Sequence, residues 1–307
     1  MKKLIGKTSA SNDNGRALEY KIVDSLLKTN LFSSTSATLA DQQRDIGKYN
    51  SLNKKLKNDF NICTPKIVKW IVGKLQPHNT LTIDRLKDND AHVADIQFRD
   101  SNEKIILNLS IKNNHDGLKH PRPYSTAQAC GFKIKSTQDV SFRKQMEIIS
   151  EQYRNKVFPK YTEYVQTGQN LIWLYDQVCD HHINWLNPQS NPKVASDLFT
   201  FIVNTNFYKI KVNPTKKIPT FIEVSDFRNI TLPQSFKAYK PSPKNLNHKN
   251  NFRIKFDNNW EVNFRIHSAS KTIKKNRKLK NGKKKFLQLS LKFDVTSIQN
   301  SISTSKI

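Results

Sequence analysis

The chain has 307 residues, and its 52 Lys and Arg exceed its 25 Asp and Glu to give a formal net charge of +27. That length accommodates one large domain or two ordinary ones, and 17 Phe, 9 Tyr and 4 Trp supply enough apolar surface to exclude a wholly disordered chain. Apolar runs of only a few residues exclude a membrane-spanning helix, and the charge predicts a polyanionic partner, above all nucleic acid, unless it merely reflects AT-biased coding.

The first predicted elements are two helices. Capping residues precede a stripe in which Leu18, Ile22 and Leu26 recur at helical spacing, with Glu19 at the edge of that stripe. A second helix is predicted to begin at Thr64, a capping residue that is followed by a first-turn proline.

Two strands are predicted next, over residues 91–98 and 104–112. The second is the clearer, because large aliphatic residues alternate along it with a face that ends in Ser110 and Lys112. The short polar segment between the two strands is typical of a turn, so the strands are expected to form a hairpin.

An acid on the first strand and a lysine at the end of the second, Asp95 and Lys112, form a pattern that suits a metal-dependent phosphodiesterase. A carboxylate can hold a divalent ion, and an ammonium can orient an attacking water and stabilise charge in the transition state. The common nuclease pattern, Asp followed by (Asp/Glu)-X-Lys, has a second carboxylate where Ser110 stands, and Glu19 is the candidate replacement. Two other acids could supply it instead, Asp84 and Asp116. The alternative interpretation is a solvated hairpin edge.

The segment 113–123, directly after this hairpin, combines basic, His and Asn residues with Gly and Pro. Such a loop could grip phosphate or read base edges, because Lys and Arg suit guanine and Asn suits adenine; the alternative is a turn with incidental charge. The candidate DNA-binding residues of this loop are Asn114, His115, Lys119, His120 and Arg122.

A third helix is predicted over 140–153. The residue pattern of the aromatic-rich stretch 169–210 that follows it does not divide the stretch into helices and strands. Within that stretch, residues 179–182 read Cys-Asp-His-His, but no second pair stands at zinc-finger spacing, so a structural role is expected. The three cysteines are odd in number and widely spaced, which predicts a cytoplasmic protein without a disulfide framework.

The C-terminal part is predicted to be β-rich. Alternating apolar residues predict strands at 252–256, 260–266 and 287–295, the first two joined by an Asp-Asn-Asn turn. Arg265 and His267 lie on the polar face of the second strand and are candidate DNA contacts, the alternative being a solvent face.

The same part of the chain holds most of the excess charge. Residues 241–307 carry 16 Lys and Arg against three acids, and the insert 271–285 has nine basic residues among fifteen. This insert is either a solvated loop or a clamp on backbone phosphates.

Five segments, in the same order along the chain, resemble the HaeIII-type family of type II restriction endonucleases. They are NGRALEY (14–20), ADIQF (94–98), LSIKNNHDGLKHPRPYS (109–125), WEVNFRIHSAS (260–270) and LKFDV (291–295). The resemblance implies Mg²⁺-dependent cleavage of double-stranded DNA, with GGCC as the expected target, cut GG/CC to blunt ends. It also implies a cognate DNA methyltransferase in the same system.

The resemblance further implies roles for individual residues. Asp95 and Glu19 would bind the metal, the backbone carbonyl of Ile111 would complete its shell, and Lys112 would serve the attacking water. Ser110 would be normal for this branch of the nuclease fold. The lack of a carboxylate at this position would then not count against a nuclease.

The sequence therefore predicts an α/β fold with a PD-(D/E)XK-like nuclease core of the variant Asp…Ser-X-Lys. The core is expected in residues 1–240, with an inserted helical and aromatic region, and a basic β-rich part in 241–307 is expected to pack on it. The predicted function is that of a type II restriction endonuclease. The alternatives are a non-catalytic nucleic-acid-binding protein and a repair or junction nuclease of the same fold.

Overall fold

The computed structural model of the chain describes residues 10–76, 80–86, 94–113, 119–213, 221–242, 248–278, 284–300, 302 and 304–307. In chain order the helices are α1 (Ala10–Leu27), α2 (Ser36–Asn50), α3 (Lys54–Leu75), α4 (Thr126–Ala129), α5 (Thr137–Val157), α6 (Gln169–Leu186) and α7 (Pro192–Val203). The strands are β1 (Phe32–Ser34), β2 (Leu81–Arg85), β3 (Ile96–Arg99), β4 (Ile105–Asn113), β5 (Tyr208–Asn213), β6 (Phe221–Asp226), β7 (Phe236–Tyr239), β8 (Asn251–Phe256), β9 (Glu261–Ser268), β10 (Arg277–Lys278), β11 (Lys284–Lys285), β12 (Leu291–Gln299) and β13 (Thr304–Lys306). The predicted α/β class is confirmed in this coarse sense.

The chain divides into two compact units. Unit 1 combines Met1–Gly117, Asn204–Ile230 and Ile302–Ile307, and unit 2 combines Leu118–Val203 and Thr231–Ser301. None of the helices described in either unit has both the length and the apolar character needed to cross a membrane.

Unit 1 is built on a mixed sheet of seven strands in the order β1-β2-β3-β4-β5-β6-β13. The pairs β1/β2 and β4/β5 are parallel and the others antiparallel. α1 packs against this sheet through the predicted stripe, since Leu18, Ile22 and Leu26 are fully buried in one core with Leu109 and Ile111 of β4. Glu19 follows Leu18 on this helix, and its carboxylate lies close enough to Asp95 for the charge of Asp95 to act on it.

The predicted hairpin of β3 and β4 is confirmed. The two strands pair antiparallel, with Ile96 opposite Leu109 and Phe98 opposite Leu107. β3 begins at Ile96, so Asp95 stands directly before it, and residues 91–93 of the predicted strand lie outside the described residues.

The predicted start of the second helix at Thr64 is wrong, because α3 begins at Lys54. Asn53 is the N-cap, and its side chain accepts a hydrogen bond from the Leu56 amide at 2.9 Å. Pro65, expected in the first turn, lies inside the helix.

Unit 2 is built on an antiparallel sheet of four strands in the order β12-β9-β8-β7, with α4 to α7 and the two-stranded β10/β11 pair in the same unit. The predicted helix over 140–153 lies within α5, and the predicted pairing of 252–256 with 260–266 is confirmed by β8 and β9.

The third predicted C-terminal strand begins later than expected, at Leu291 instead of residue 287. The preceding amides are bonded to side chains: Leu287 donates to Asn276 Oδ1, Leu289 to the Tyr124 hydroxyl and Ser290 to the Tyr164 hydroxyl, each at 3.0 Å. The apolar alternation that predicted a strand therefore extends back over Leu287 and Leu289. The backbone amides of these residues, however, bond to side chains instead of to a neighbouring strand.

The two compact units are assembled from interleaved parts of the chain. Helix α6 and the segment after it belong with the C-terminal strands, because their polar groups bond to those strands. The Tyr175 hydroxyl accepts from the Ser268 amide at 2.8 Å, and Asn187 bonds both the amide and the carbonyl of Ala238, at 2.7 and 3.0 Å.

Candidate active site

The carboxylate of Asp95 is held by three donors from β4. Its Oδ2 accepts hydrogen bonds from the Ser110 hydroxyl at 3.2 Å, the Ile111 amide at 2.6 Å and the Lys112 ammonium at 3.2 Å. The structure therefore brings together the acid, the serine and the lysine that the sequence pattern singled out, all at one end of the β3/β4 hairpin of unit 1.

The geometry gives a reason for a serine at position 110. The Ser110 side chain is fully buried and donates to Asp95. A carboxylate in the same place would put a second negative charge against the same oxygen, away from solvent, where like charges are costly. Ser110 thus gives Asp95 a hydrogen-bond donor at the position where the common nuclease pattern has a second acid.

Glu19 on α1 is the acid that the sequence suggests as its replacement. It is buried, and its Oε2 lies 2.8 Å from Arg85 Nη2 and 3.3 Å from Arg16 Nη1. Burial raises the pKa of Glu19 and the charge of Asp95 raises it further, and although Arg85 and Arg16 act in the opposite direction, the pKa stays above its ordinary value. Glu19 and Asp95 thus repel each other, a repulsion that a bound cation would relieve.

These oxygen donors fit Mg²⁺. Within the described ranges there is no group of three or more His, Cys, Asp or Glu placed to hold a metal. Mg²⁺ does not require one, because it is usually held by one or two carboxylates, with water and substrate phosphate completing its octahedral shell. Asp95 and Glu19 could supply those two carboxylates, and the backbone amide of Ile111 donates to Asp95 at 2.6 Å.

A second lysine lies beside Lys112. The parallel register of β4 and β5 pairs Lys112 with Lys211, whose ammonium is 3.4 Å from Glu223 on β6. Sequence reasoning missed Lys211, although the alternation of lysines along β5 was a usable signal. Two lysines on adjacent strands make this face of the sheet suitable for a phosphate.

The predicted DNA-binding residues that the structure describes belong to unit 2. Arg265, His267 and Lys292 converge on the carboxylate of Asp294, at 3.5, 2.8 and 3.4 Å, and His120 also acts on its charge. Burial raises the pKa of Asp294, but His267, Lys292 and His120 outweigh that effect and lower the pKa below its ordinary value. Sequence reasoning missed Lys292 and Asp294, which the alternation of β12 could have placed on the same face.

Lys119 and Arg122 are the other described DNA-binding candidates of the segment 113–123. The Lys119 ammonium lies 4.8 Å from the centre of the Phe201 ring, and Arg122 is exposed. Asn114 and His115 lie outside the described residues, as does Asp116, the alternative acid.

The Cys-Asp-His-His motif is built into the packing of α6. His182 is fully buried, with Nδ1 2.7 Å from the Val178 carbonyl and Nε2 3.0 Å from the Thr126 hydroxyl. The His181 ring stacks on Phe142, and its Nε2 lies 3.1 Å from the Phe142 carbonyl. Both imidazoles are therefore engaged in contacts within unit 2.

No protein-family model, no curated protein and no solved structure matches this chain. Its function is therefore inferred from its own residues.

Proposed function

We propose that this chain is a type II restriction endonuclease, a Mg²⁺-dependent enzyme that hydrolyses phosphodiester bonds of double-stranded DNA through a PD-(D/E)XK-like core of the Asp…Ser-X-Lys variant. The observation that carries the proposal is the contact of Asp95 with Lys112 at 3.2 Å, with the buried carboxylate of Glu19 close enough for the charge of Asp95 to act on it. An acid pair next to an ammonium, at the end of a sheet and with basic neighbours, suits phosphodiester hydrolysis.

Each residue has a defined task in this reaction. Mg²⁺ held by Asp95, Glu19 and the Ile111 carbonyl would polarise the scissile phosphate and lower the pKa of a bound water. Ser110 and the Ile111 amide fix the orientation of Asp95. Lys112 orients the attacking water and stabilises the negative charge that develops on the phosphate.

Charge in both units supports a DNA substrate. The net charge of +27 favours association with a polyanion, and Arg265, His267 and Lys292 lie together on one face of the C-terminal sheet. The target GGCC, the blunt cut GG/CC and the cognate methyltransferase are proposed from the resemblance of the five quoted segments.

A sequenced plasmid tests the proposal directly. Digestion with Mg²⁺ should give discrete fragments with blunt ends at GG/CC, digestion with EDTA should give none, and methylation of GGCC should protect the plasmid. A protein that shifts the plasmid without cutting it is a nucleic-acid-binding protein. Preferential cutting of branched DNA, without discrete bands from linear duplex, indicates a repair or junction nuclease.

A further inference from the structure

A buried guanidinium joins the candidate metal site to helix α2. Nη2 of Arg85, at the end of β2, lies 2.8 Å from Glu19 Oε2 and 2.9 Å from Asp45 Oδ2, and Nη1 lies 3.0 Å from Gln42 Oε1. The side chains of Arg85 and Asp45 are 0% exposed. One nitrogen of one cation is thus shared between two carboxylates, one of which belongs to the candidate site.

The two carboxylates lie at nearly the same distance from this nitrogen, 2.8 Å for Glu19 and 2.9 Å for Asp45. Burial raises the pKa of Asp45, but hydrogen bonding from Arg44 and the charges of Arg85 and Lys48 overcome this effect and bring the pKa to about 2. Asp45 therefore holds its negative charge firmly and competes with Glu19 for Arg85.

This competition bears on a cation at Glu19. A guanidinium paired with Glu19 alone would neutralise that carboxylate and repel a divalent ion next to it, and such effects are strong between buried charges. A guanidinium that is also paired with Asp45 directs part of its charge elsewhere. Arg85 can then hold Glu19 in position without cancelling its attraction for a metal.

We propose that Asp45 is a positioning residue that sets the divalent-cation affinity of the Glu19 and Asp95 pair by sharing the charge of Arg85. The inference rests on the proposed function, since it assumes that these two acids bind a metal. It goes beyond that function by giving a residue of α2, which lies in neither the sequence motif nor the candidate site, a specific effect on metal binding. A network that only ties α1, α2 and β2 together would affect stability and leave metal affinity unchanged.

Metal binding without DNA is the direct test. Mn²⁺ prefers the same oxygen ligands as Mg²⁺, and its free concentration can be followed by electron paramagnetic resonance while the full-length protein is titrated. Asp45→Asn keeps the shape of the side chain and an oxygen acceptor for Arg85. The dissociation constant for Mn²⁺ should rise by about tenfold, as expected for the loss of one charge acting through protein.

The matched control is Asp41→Asn. Asp41 lies one turn earlier on α2, is also buried and also pairs with Arg44, while no bond or ion pair joins it to Arg85 within the described residues. Asp41 can act on Arg85 only indirectly, through Arg44, so its substitution should change the dissociation constant by less than about threefold. In cleavage assays Asp45→Asn should raise the Mg²⁺ midpoint and keep the rate at saturating Mg²⁺.

The outcomes separate the inference from the proposed function. If wild-type protein binds Mn²⁺ and Asp45→Asn binds it equally well, or if Asp41→Asn loses as much affinity, the inference is wrong and the proposed function stands. If the wild type neither binds Mn²⁺ nor cleaves DNA, the proposed function fails.

A variant of opposite sign covers the case in which Asp45→Asn does not fold. Arg44 is half exposed and donates to Asp45 at 2.9 Å, so Arg44→Gln leaves Asp45 more fully to Arg85. The dissociation constant for Mn²⁺ should then fall by about threefold, while Lys28→Gln, an exposed site on α1 paired with Asp24, should leave it unchanged. Equal constants for Arg44→Gln and wild type would overturn the inference.

Discussion

Lys112 is the residue whose role in the candidate site is easiest to isolate. Its side chain is mostly buried, its ammonium contacts Asp95, and it does not belong to the apolar core of unit 1 that the structure describes. Lys112→Ala should lower the single-turnover cleavage rate by on the order of a hundredfold or more, because orientation of the water and stabilisation of charge are lost. DNA affinity in a gel-shift assay should change little.

The control for this variant is Lys104→Ala. Lys104 is exposed and directly precedes the first residue of β4. Its substitution removes the same charge from the same hairpin without affecting the contact with Asp95. Cleavage by Lys112→Ala at the rate of the control would exclude Lys112 from the active site.

Glu19 is predicted to be the second metal carboxylate. Glu19→Gln preserves the size of the side chain and its place on α1 but removes the charge that attracts a cation. The Mg²⁺ midpoint for cleavage should rise by about tenfold or more, since a neutral amide is a much poorer ligand for Mg²⁺ than a carboxylate. An unchanged midpoint together with an unchanged rate would assign the second carboxylate to another acid, such as Asp84 or Asp116.

At the scale of single elements, helix α6 makes unit 2 sensitive to acid. Burial lowers the pKa of His182 to about 3 and that of His181 to about 4, both below the ordinary 6.5. Below pH 6.5 the unfolded chain takes up protons that the folded chain does not, so stability is complete above pH 6.5 and is lost as the pH falls toward 3. Each histidine contributes at most about 1.4 kcal/mol per pH unit to this loss.

His182→Gln should therefore flatten the pH dependence of unfolding. The variant is expected to be less stable than wild type at pH 7.5, because its imidazole contacts with Val178 and Thr126 are lost. Between pH 6 and pH 5, however, its free energy of unfolding in urea should fall by roughly 1 kcal/mol less than that of wild type. Parallel pH curves would show that His182 titrates at the same pH in the folded and unfolded chains.

The helices and strands also show which sequence patterns are sufficient to predict secondary structure. The apolar stripe of α1 and the alternation of β4 predicted those elements correctly, because each pattern matches a face that is buried in the core. The start of α3 and the start of β12 were predicted wrongly. The signal at Pro65 was ambiguous between a first turn and a helix interior, and the amides before Leu291 bond to the side chains of Asn276, Tyr124 and Tyr164, which no local pattern reveals.

The candidate site was predictable to a similar degree. Asp95, Ser110 and Lys112 lie on one hairpin, so local spacing brought them together. Arg85 and Asp45 could not be found in this way, because their contacts with Glu19 and with each other join α1, α2 and β2 across long sequence separations.

At the scale of the whole molecule, the division into two units also depends on contacts across long sequence separations, which local patterns do not reveal. Each unit is assembled from separated parts of the chain, with residues 118–203 belonging with 231–301. The boundary predicted from composition, after residue 240, separates the basic C-terminal part from the rest of the chain. The structural boundary follows long-range bonds such as that between Tyr175 and Ser268.

The basic insert is anchored in unit 2 at its base. The Arg154 guanidinium, which is almost fully buried, donates to the carbonyl of Lys274 at 3.0 Å and to the carbonyl of Leu287, and Asn276 donates to Glu151 at 2.7 Å. β10 and β11 then pair antiparallel beyond this base. Because these bonds hold the base of the insert, we expect the basic arm, residues 271–285, to contact backbone phosphates and not to act only through its net charge.

Two variants with the same net charge separate these effects. Changing five lysines of the arm to Gln (Lys278, Lys280, Lys283, Lys284 and Lys285) lowers the formal charge from +27 to about +22. Changing five exposed lysines of α3 to Gln (Lys54, Lys55, Lys66, Lys69 and Lys74) has the same effect on the formal charge. Each lost phosphate contact reduces the slope of log affinity against log salt by about 0.9, so the arm variant should lose up to roughly 4.5 in slope and the α3 variant much less.

The arm variant should weaken binding to specific and random duplexes by similar factors, because phosphate contacts carry no sequence information. Its cleavage positions should stay those of wild type. Equal loss of slope in the two variants would mean that net charge, and not the arm, governs binding. New cleavage positions in the arm variant would mean that the arm contacts bases, since a change confined to backbone contacts lowers affinity for every sequence alike.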